Sequence, residues 1–222
     1  MQFNIHKEGW TYFILCSIIS IIFLPFFPII GILLIILTIY IFYFFRDPVR
    51  VIPDEDVIIS PADGIITFIG ISNPPKELDI EDKFVKVSIF LSIFNVHVNR
   101  LPVSGKVTDI KYVEGKFLNA SLDKSSDKNE RNIILIEDEL SNKYIVTQIA
   151  GLIARRIICD LKVDQRSIKG HRFGIIKFGS RVDLYMPLNT KTLVSVGQTV
   201  IGGETIISNM NKIDQIKKFT KI

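Results

Sequence analysis

Three residues in this sequence carry side chains suited to nucleophilic and proton-transfer chemistry: Asp63, His97 and Ser180. Ser180 follows Gly179 at a break between two strand-like runs, and a glycine allows a strained backbone conformation beside a nucleophile. Histidine is the natural general acid and base near neutral pH. The three residue types are the components of a triad that activates a hydroxyl group, provided that the fold brings them together.

Asp63 and His97 also have ordinary structural interpretations. Asp63 lies in the run Ser60–Gly64, where an aspartate is favoured as a turn former. In a strand, His97 shares one face with Asn95 and Asn99, because side chains alternate with a period of two residues. A polar strand face of this kind is usually solvated. The pattern alone favours the structural interpretation of both residues.

The Gly179-Ser180 pair is a weak signal when it is taken alone. It is not the Gly-x-Ser-x-Gly nucleophile elbow, because Phe178 and Val182 stand where that motif has glycines. A serine hydrolase that uses Ser180 therefore stays open as one alternative.

The composition limits the class of protein. The chain has 222 residues, of which 48% are hydrophobic and 23% are charged, and these values exclude a disordered protein. The net charge of +4 is small and dispersed, so we expect no nucleic-acid partner. Its two cysteines, Cys16 and Cys159, lie far apart in different kinds of sequence, which predicts no disulfide. No cluster of cysteine and histidine has metal-ligand spacing, so we expect no metal.

An apolar segment precedes the rest of the chain. From Trp10 to Phe45, 36 residues contain no Asp, Glu, Lys or Arg. One helix of that length would extend about 54 Å, against a hydrocarbon core of roughly 30 Å. Pro25 and Pro28 interrupt the segment at its centre. We therefore interpret residues 1–45 as a membrane anchor made of two apolar helical arms with a break near residues 25–28.

The anchor predicts a location at the cell (inner) membrane, with both of its ends and the remaining domain on the cytoplasmic side. A secretory signal peptide would have a shorter apolar core and a small-residue cleavage site. A shallow hairpin that enters a single leaflet stays open, because each arm is short for a span. A mildly basic domain beside such an anchor suits an anionic lipid surface.

The remaining residues, 46–222, show short β-type runs separated by turns. The longest predicted strand is Val85–Leu101, and Gly197–Glu204 reads as a glycine-rich hairpin. We expect a mainly β fold, a β-rich sandwich or barrel-like domain with some α, behind an N-terminal hydrophobic helical hairpin.

Six segments together carry a family resemblance. They are Phe44–Pro48, Ser60–Gly64, Phe94–Arg100, Asn129–Asn132, Ile149–Arg156 and Arg172–Asp183. In this order, over roughly residues 40–208, they resemble the phosphatidylserine decarboxylase family, in particular the short proenzyme form of bacteria and archaea. The resemblance implies pyruvoyl-dependent decarboxylation of phosphatidylserine to phosphatidylethanolamine, a step of phospholipid biosynthesis.

The resemblance also implies how the chain matures. Members of this family cut themselves between the glycine and the serine of the motif, here Gly179 and Ser180. The cut divides the chain into a β chain, 1–179, and an α chain, 180–222. The serine becomes a pyruvoyl group, the covalent cofactor, which forms a Schiff base with the amine of the substrate.

The aspartate and the histidine of the family correspond to Asp63 and His97. The chemistry is consistent with this assignment, because attack of the Ser180 hydroxyl on the Gly179 carbonyl needs a base, and His97 oriented by Asp63 would provide one. His97 is also the candidate for protonating the carbanion left by carbon dioxide. Longer members have a second histidine where this chain has Phe94, so the role of that histidine is not transferred.

The expected partners are phosphatidylserine, membrane lipid and the two chains of one precursor, and a homo-oligomer is left open. Arg131, Arg155 and Arg156 suit a phosphodiester or a carboxylate, but none of them is assigned to the substrate. A non-enzymatic, membrane-tethered carrier-like β-domain is the other alternative, because the Asp-Gly turn and the Gly197–Glu204 hairpin are features of such domains.

Overall fold

A computed structural model describes residues 4–116, 128–151, 156–177 and 179–209 of the protein. Its helices are α1 (Lys7–Phe23), α2 (Pro28–Phe44) and a short 3₁₀ helix at Lys76–Leu78. Its strands are β1 (Val57–Ile59), β2 (Gly64–Ser72), β3 (Phe84–Leu91), β4 (Val98–Arg100), β5 (Gly105–Val113), β6 (Arg131–Glu137), β7 (Lys143–Ala150), β8 (Arg156–Cys159), β9 (Arg166–Ser167), β10 (Arg172–Lys177), β11 (Ser180–Pro187), β12 (Thr199–Val200) and β13 (Ile206–Asn209).

The two N-terminal helices pack against each other as an antiparallel hairpin. Pro28 is at the start of α2, where its missing N–H has no intrahelical partner to lose. Midway along the pair, the hydroxyl oxygens of Ser20 and Thr38 lie 3.3 Å apart. The predicted helical hairpin is confirmed. In the part of the chain that the structure describes, no helix is both long and apolar enough to cross a membrane.

The strands form three antiparallel sheets. The largest has the order β12-β2-β3-β11-β7-β6-β5-β9, which places β11 between β3 and β7. The second sheet has the order β4-β10-β8, and β1 pairs with β13 in the third. The main core lies where the smaller sheets cover one face of the largest one. Val182 and Leu184 of β11 enter this core from one side, and Ile176 and Ile207 enter it from the smaller sheets.

A second apolar cluster joins the base of the helical hairpin to the sheet β4-β10-β8. Its buried members are Phe44, Phe45, Val96, Val98 and Ile175. Two ion pairs flank it, with Lys7 2.8 Å from Asp160 and Lys177 3.0 Å from Glu8. The hairpin is therefore fixed to the β-domain by packing as well as by charge, and the mainly β fold with N-terminal helices is confirmed.

The predicted strand Val85–Leu101 is wrong, because this segment forms β3 and β4, which belong to different sheets. Between them the side-chain oxygen of Asn95 accepts hydrogen bonds from the N–H and the hydroxyl of Ser92, both at 2.8 Å. An asparagine that bonds to nearby backbone favours a turn over a strand. Asn95 therefore closes a turn and lies outside the strand that follows His97.

The predicted hairpin Gly197–Glu204 is also wrong. β12 pairs with β2, whereas β13 pairs with β1, so the chain changes sheets between them. The carbonyl oxygen of Ile201 accepts hydrogen bonds from the N–H groups of Glu204 and Thr205, at 3.1 and 3.0 Å. Gly203 has φ +87°, which favours glycine in this tight turn.

Phe44→Ala tests the contact between the hairpin and the domain. Phe44 is fully buried, and truncating a buried phenylalanine costs about 3–5 kcal/mol. Phe26→Ala is the matched control, because Phe26 is 75% exposed at the hairpin turn and should change stability by less than about 0.5 kcal/mol. Free energies of unfolding from denaturant titrations compare the two. Equal losses in both variants would contradict the described docking.

Candidate active site

Ser180 is the first residue of β11, near the middle of the largest sheet. Its backbone pairs with Leu91 on β3 and with Ala150 on β7. The side chain is fully buried, and its Oγ has no hydrogen-bond partner among the described residues. A buried hydroxyl without a partner costs about 1–3 kcal/mol. Such a group calls for an explanation, and a reaction at this serine provides one.

Gly179 gives the backbone before Ser180 its conformation. Its φ is +47°, in the left-handed region that favours glycine. A Cβ added there would meet no heavy atom of the described residues within 4 Å, so the conformation rather than crowding selects glycine. The peptide bond between Gly179 and Ser180 therefore lies at a corner between the end of β10 and the start of β11.

The imidazole of His97 is buried beside the base of the helical hairpin. Its ring packs against Phe44, with 4.2 Å between the ring centroids. Nδ1 lies 2.9 Å from the carbonyl oxygen of Asn95. Because a carbonyl only accepts hydrogen bonds, Nδ1 carries the proton and Nε2 carries the lone pair. No described residue is a hydrogen-bond partner of Nε2. The interpretation of His97 as a solvated strand residue is therefore wrong.

Burial also sets the charge of His97. It lowers the pKa of His97 to about 4, and the positive charge of Arg46 acts in the same direction. The contact with the Asn95 carbonyl opposes this shift only in part. The imidazole is therefore neutral at pH 7, and Nε2 is free to accept a proton from a hydroxyl group.

The carboxylate of Asp63 is held by one cation and one backbone N–H. A terminal nitrogen of Arg50 lies 2.8 and 3.0 Å from the two carboxylate oxygens, and the N–H of Gly202 donates to one of them at 2.8 Å. Burial raises the pKa of Asp63, while both contacts act in the opposite direction. The carboxylate thus connects its own turn to the segment before β1 and to the turn after β12.

The structure brings the turn of Asp63 next to the strand that follows His97. The N–H of Arg100, on β4, donates to the carbonyl oxygen of Pro61 at 2.9 Å. The side chains of Asp63 and His97 are not hydrogen-bonded to each other, because each has the partners described above. The orienting role of Asp63 stays a prediction.

The backbone of His97 is hydrogen-bonded to β10, the strand that precedes Ser180 in the chain. The N–H of Ile176 in β10 donates to the carbonyl oxygen of His97 at 3.4 Å, and Ser180 follows Ile176 by four residues. The described contacts therefore connect the backbone of His97 to the strand that ends at Lys177, before Gly179 and Ser180.

A chain of three buried amides runs toward the same region. Nδ2 of Asn132 donates to Oε1 of Gln148 at 3.0 Å, and Nε2 of Gln148 donates to Oδ1 of Asn99 at 2.9 Å. All three side chains are buried. Asn99 is visible in the sequence as a neighbour of His97. Sequence reasoning assigned no role to Asn132, although it lies in the segment Asn129–Asn132, and it missed Gln148, whose only signal is an amide inside an otherwise apolar strand.

The opposite face of β11 carries a separate group of buried charges. Nε of Arg181 lies 2.9 Å from one oxygen of Asp183, and Nζ of Lys86 lies 3.4 Å from the other. Lys86 and Asp183 line a cavity of about 480 Å³ on that face. Because side chains alternate along a strand, these residues point away from Ser180. Their charges balance one another and hold β11 in place.

The three arginines considered for an anionic headgroup differ in position. Arg131 is buried and pairs with Glu77. Arg156 is exposed at the start of β8. Arg155 lies outside the described residues. Of the two described arginines, Arg131 is therefore engaged in an ion pair with Glu77, and Arg156 has an exposed side chain.

Neither alternative function gains support from the site. The hairpin expected of a carrier-like domain is replaced by the turn between β12 and β13. A serine hydrolase needs an accessible nucleophile, whereas Ser180 is fully buried in the uncut chain.

Comparisons with known proteins agree with the resemblance in the sequence. A family model described as "Phosphatidylserine decarboxylase" matches residues 37–208. The phosphatidylserine decarboxylase proenzyme of Wolbachia pipientis wMel is 48% identical over 220 residues, which cover 98% of this chain and 96% of that protein. The proenzyme of Rickettsia typhi is 50% identical over 210 residues, which cover 94% and 91%. This chain therefore belongs to the phosphatidylserine decarboxylase family, in its short bacterial proenzyme form.

Proposed function

We propose that this chain, which decarboxylates phosphatidylserine like the family to which it belongs, does so through a pyruvoyl group made from its own Ser180. The observation that carries the proposal is the buried Oγ of Ser180, which has no partner among the described residues and directly follows a glycine in the left-handed conformation. The proenzyme names of the relatives support a chain that is made as a precursor and then processed.

Self-cleavage begins when Oγ of Ser180 attacks the carbonyl carbon of Gly179. A C–O bond forms and the C–N bond breaks, so the amide becomes an ester and the proton of the hydroxyl ends on the freed amine. Elimination then removes the proton on Cα of residue 180 to a base and breaks the bond between Cβ and the ester oxygen, which leaves Gly179 as a carboxylate and residue 180 as dehydroalanine. Addition of water and loss of ammonia convert residue 180 into the pyruvoyl group.

His97 is the base in this scheme. Its Nε2 carries the lone pair that receives the proton of Ser180, and the carbonyl of Asn95 fixes the opposite nitrogen as the protonated one. That carbonyl takes the place that an aspartate has in a Ser-His-Asp triad. Asp63 acts as a positioning residue, because its contacts with Arg50 and Gly202 hold the turn to which β4 is bonded.

In the mature enzyme, the group at position 180 supplies an electron sink for decarboxylation. The chain's own residues place the substrate and move the proton. Nε2 of His97 takes a proton from the ammonium group of the bound substrate and delivers it to the carbon that has lost carbon dioxide. Its burial against Phe44 excludes water from this side of the site.

The two products of self-cleavage stay together. The α chain starts with β11, which pairs with β3 over residues 180–187 and with β7 over residues 180–185. These ladders do not include the bond that is cut. The α chain therefore remains inside the sheet of the β chain without a disulfide.

The hairpin connects the site with lipid. Many apolar side chains on the outer faces of α1 and α2 are exposed, including Ile21 and Ile29 at 73% and 76%. The base of the same hairpin packs against His97 through Phe44. The proposal therefore places the enzyme at the cell (inner) membrane, with the domain on the cytoplasmic side and the head group of phosphatidylserine near the hairpin base.

Ser180→Ala should remain one uncut chain, because it lacks the attacking hydroxyl. Wild-type protein should give fragments 1–179 and 180–222 in an intact-mass spectrum. Ser88→Ala is the matched control, because its Oγ is also buried without a described partner but lies on neighbouring β3. Ser88→Ala should be cut like the wild type, and a cut Ser180→Ala chain would refute the mechanism.

Cyanoborohydride added during turnover should attach the substrate to the fragment that begins at residue 180, with no added PLP or metal. The reason is that the reactive carbonyl belongs to that residue. Peptide mapping by mass spectrometry locates the adduct, and uncut Ser180→Ala protein serves as the control. An adduct on a lysine side chain would show that the cofactor proposal is wrong.

The rate of self-cleavage should stay level from pH 8 to pH 6 and fall only as the pH approaches about 4. Protonation removes the lone pair of Nε2, and burial lowers the pKa of His97 to about 4. The measurement is the cleavage half-time of precursor from cell-free synthesis at each pH. His97→Gln should be slower by about 10²–10⁴-fold and lose this pH dependence. A midpoint near 6.5, the ordinary histidine pKa, would contradict the buried neutral base.

A further inference from the structure

We propose that Asn99 is a catalytic residue of self-cleavage, whose side-chain amide donates a hydrogen bond to the Gly179 carbonyl oxygen as this oxygen gains negative charge. The inference rests on the proposed cut between Gly179 and Ser180. It assigns to this chain a donor of the kind that forms an oxyanion hole.

The first observation is that three of the buried side-chain polar atoms without partners among the described residues have complementary functions. They are Oγ of Ser180, Nε2 of His97 and Nδ2 of Asn99. The first is a nucleophile, the second is a base with a free lone pair, and the third is a hydrogen-bond donor. Acyl transfer needs these three functions at one place. Buried polar groups are normally paired, so three such atoms of complementary function point to one site.

The second observation is the place of Asn99 in the fold. Asn99 and His97 are two residues apart, and the backbone of both is bonded to β10. Side chains two residues apart in an extended segment share a face. Asn99 also reaches Gln148 on β7, which pairs with Val182 on β11. Ser180 is two residues from Val182 and lies on the same face of the sheet. Gln148 and Ser180 are therefore diagonal neighbours on adjacent strands, and such neighbours are about 7–8 Å apart.

The third observation is the direction of the amide chain. Asn132 donates to Gln148, and Gln148 donates to Oδ1 of Asn99. If the side-chain amide of Asn99 alone were rotated by 180°, its N–H₂ group would face the N–H₂ group of Gln148, and the hydrogen bond between the two residues would be lost. The hydrogen bonds among the three amides therefore hold the oxygen of Asn99 toward Gln148. They leave the N–H₂ group of Asn99 without a partner among the described residues. A group held in this way is a donor, which is the polarity that a developing oxyanion requires.

The step itself is balanced without any further reagent. As Oγ of Ser180 bonds to the carbonyl carbon of Gly179, the π electrons move to the carbonyl oxygen, and Nε2 of His97 takes the proton. The amide of Asn99 stabilises that oxygen but exchanges no atom with it. Collapse of the intermediate returns the electrons and expels the amine of residue 180, which receives the proton.

Asn99→Leu tests this assignment, because leucine has a similar volume and no donor. Loss of one oxyanion donor slows a reaction by about 10²–10³-fold, and we expect that increase in the cleavage half-time. Thr147→Val is the matched control, since it removes another buried polar atom without a described partner, on the opposite face of β7, and leaves the three amides intact. Thermal unfolding of both changes in the uncut Ser180→Ala background measures their effect on the fold separately.

Hydroxylamine identifies the step that is affected. It cuts an ester at Gly179, so it rescues chains that form the ester but fail to eliminate. We expect no rapid cut of Asn99→Leu in hydroxylamine, because its ester forms slowly. A rapid cut, or an equal delay in Thr147→Val, would overturn the role of Asn99. If Asn99→Leu does not fold, Asn99→Asp keeps the shape and the acceptor used by Gln148, and the same outcomes apply.

The wild-type chain separates the two proposals. A wild-type chain that is not cut between Gly179 and Ser180 refutes the proposed function and with it this inference. A wild-type chain that is cut, together with an Asn99→Leu chain that is cut at the same rate, refutes only the role of Asn99.

Discussion

The bond between Gly179 and Ser180 lies at the start of β11, a strand that is hydrogen-bonded on both sides along most of its length. This position imposes a constraint on everything around it. A strand inside a sheet keeps its place when one covalent link at its end is lost, because the ladders on both sides remain. The residues proposed to act on residue 180 must therefore come to a fixed strand end, and His97 and Asn99 lie beside or within β4 of the neighbouring sheet.

The two faces of β11 separate two kinds of polar group. The inward face presents Ser180 and, across the sheet, the amide of Gln148, and both side chains are uncharged. The outward face holds Arg181 and Asp183 as an ion pair with Lys86 beside it. In a buried environment a single charge is expensive, which explains why the charges of the outward face are paired. The low pKa of His97 follows from the same condition.

Local sequence signals predicted the elements but not the contacts between distant segments. The break near Pro28 and the β-rich domain are each readable from a few consecutive residues, and the structure confirms both. The strand predicted through Asn95 is wrong, because the bond from its side chain to Ser92 overrides the apolar pattern. The partnership of Asp63 with Arg50 and the chain from Asn132 to Asn99 depend on pairing across sheets. Periodicity within one strand has no information about that register.

The packing of Phe44 links the helical hairpin to the chemistry. Phe44 is the last residue of α2, and its ring lies 4.2 Å from that of His97, centroid to centroid. Burial is the main cause of the lowered pKa of His97, and part of that burial is provided by the hairpin. A hairpin that moved away from the domain would expose the imidazole to water, and its pKa would rise toward the ordinary value. The pKa of His97 therefore depends on the docking of the helices whose outer apolar side chains are exposed. The helical hairpin and His97 belong to one packed unit, so the position of one limits the position of the other.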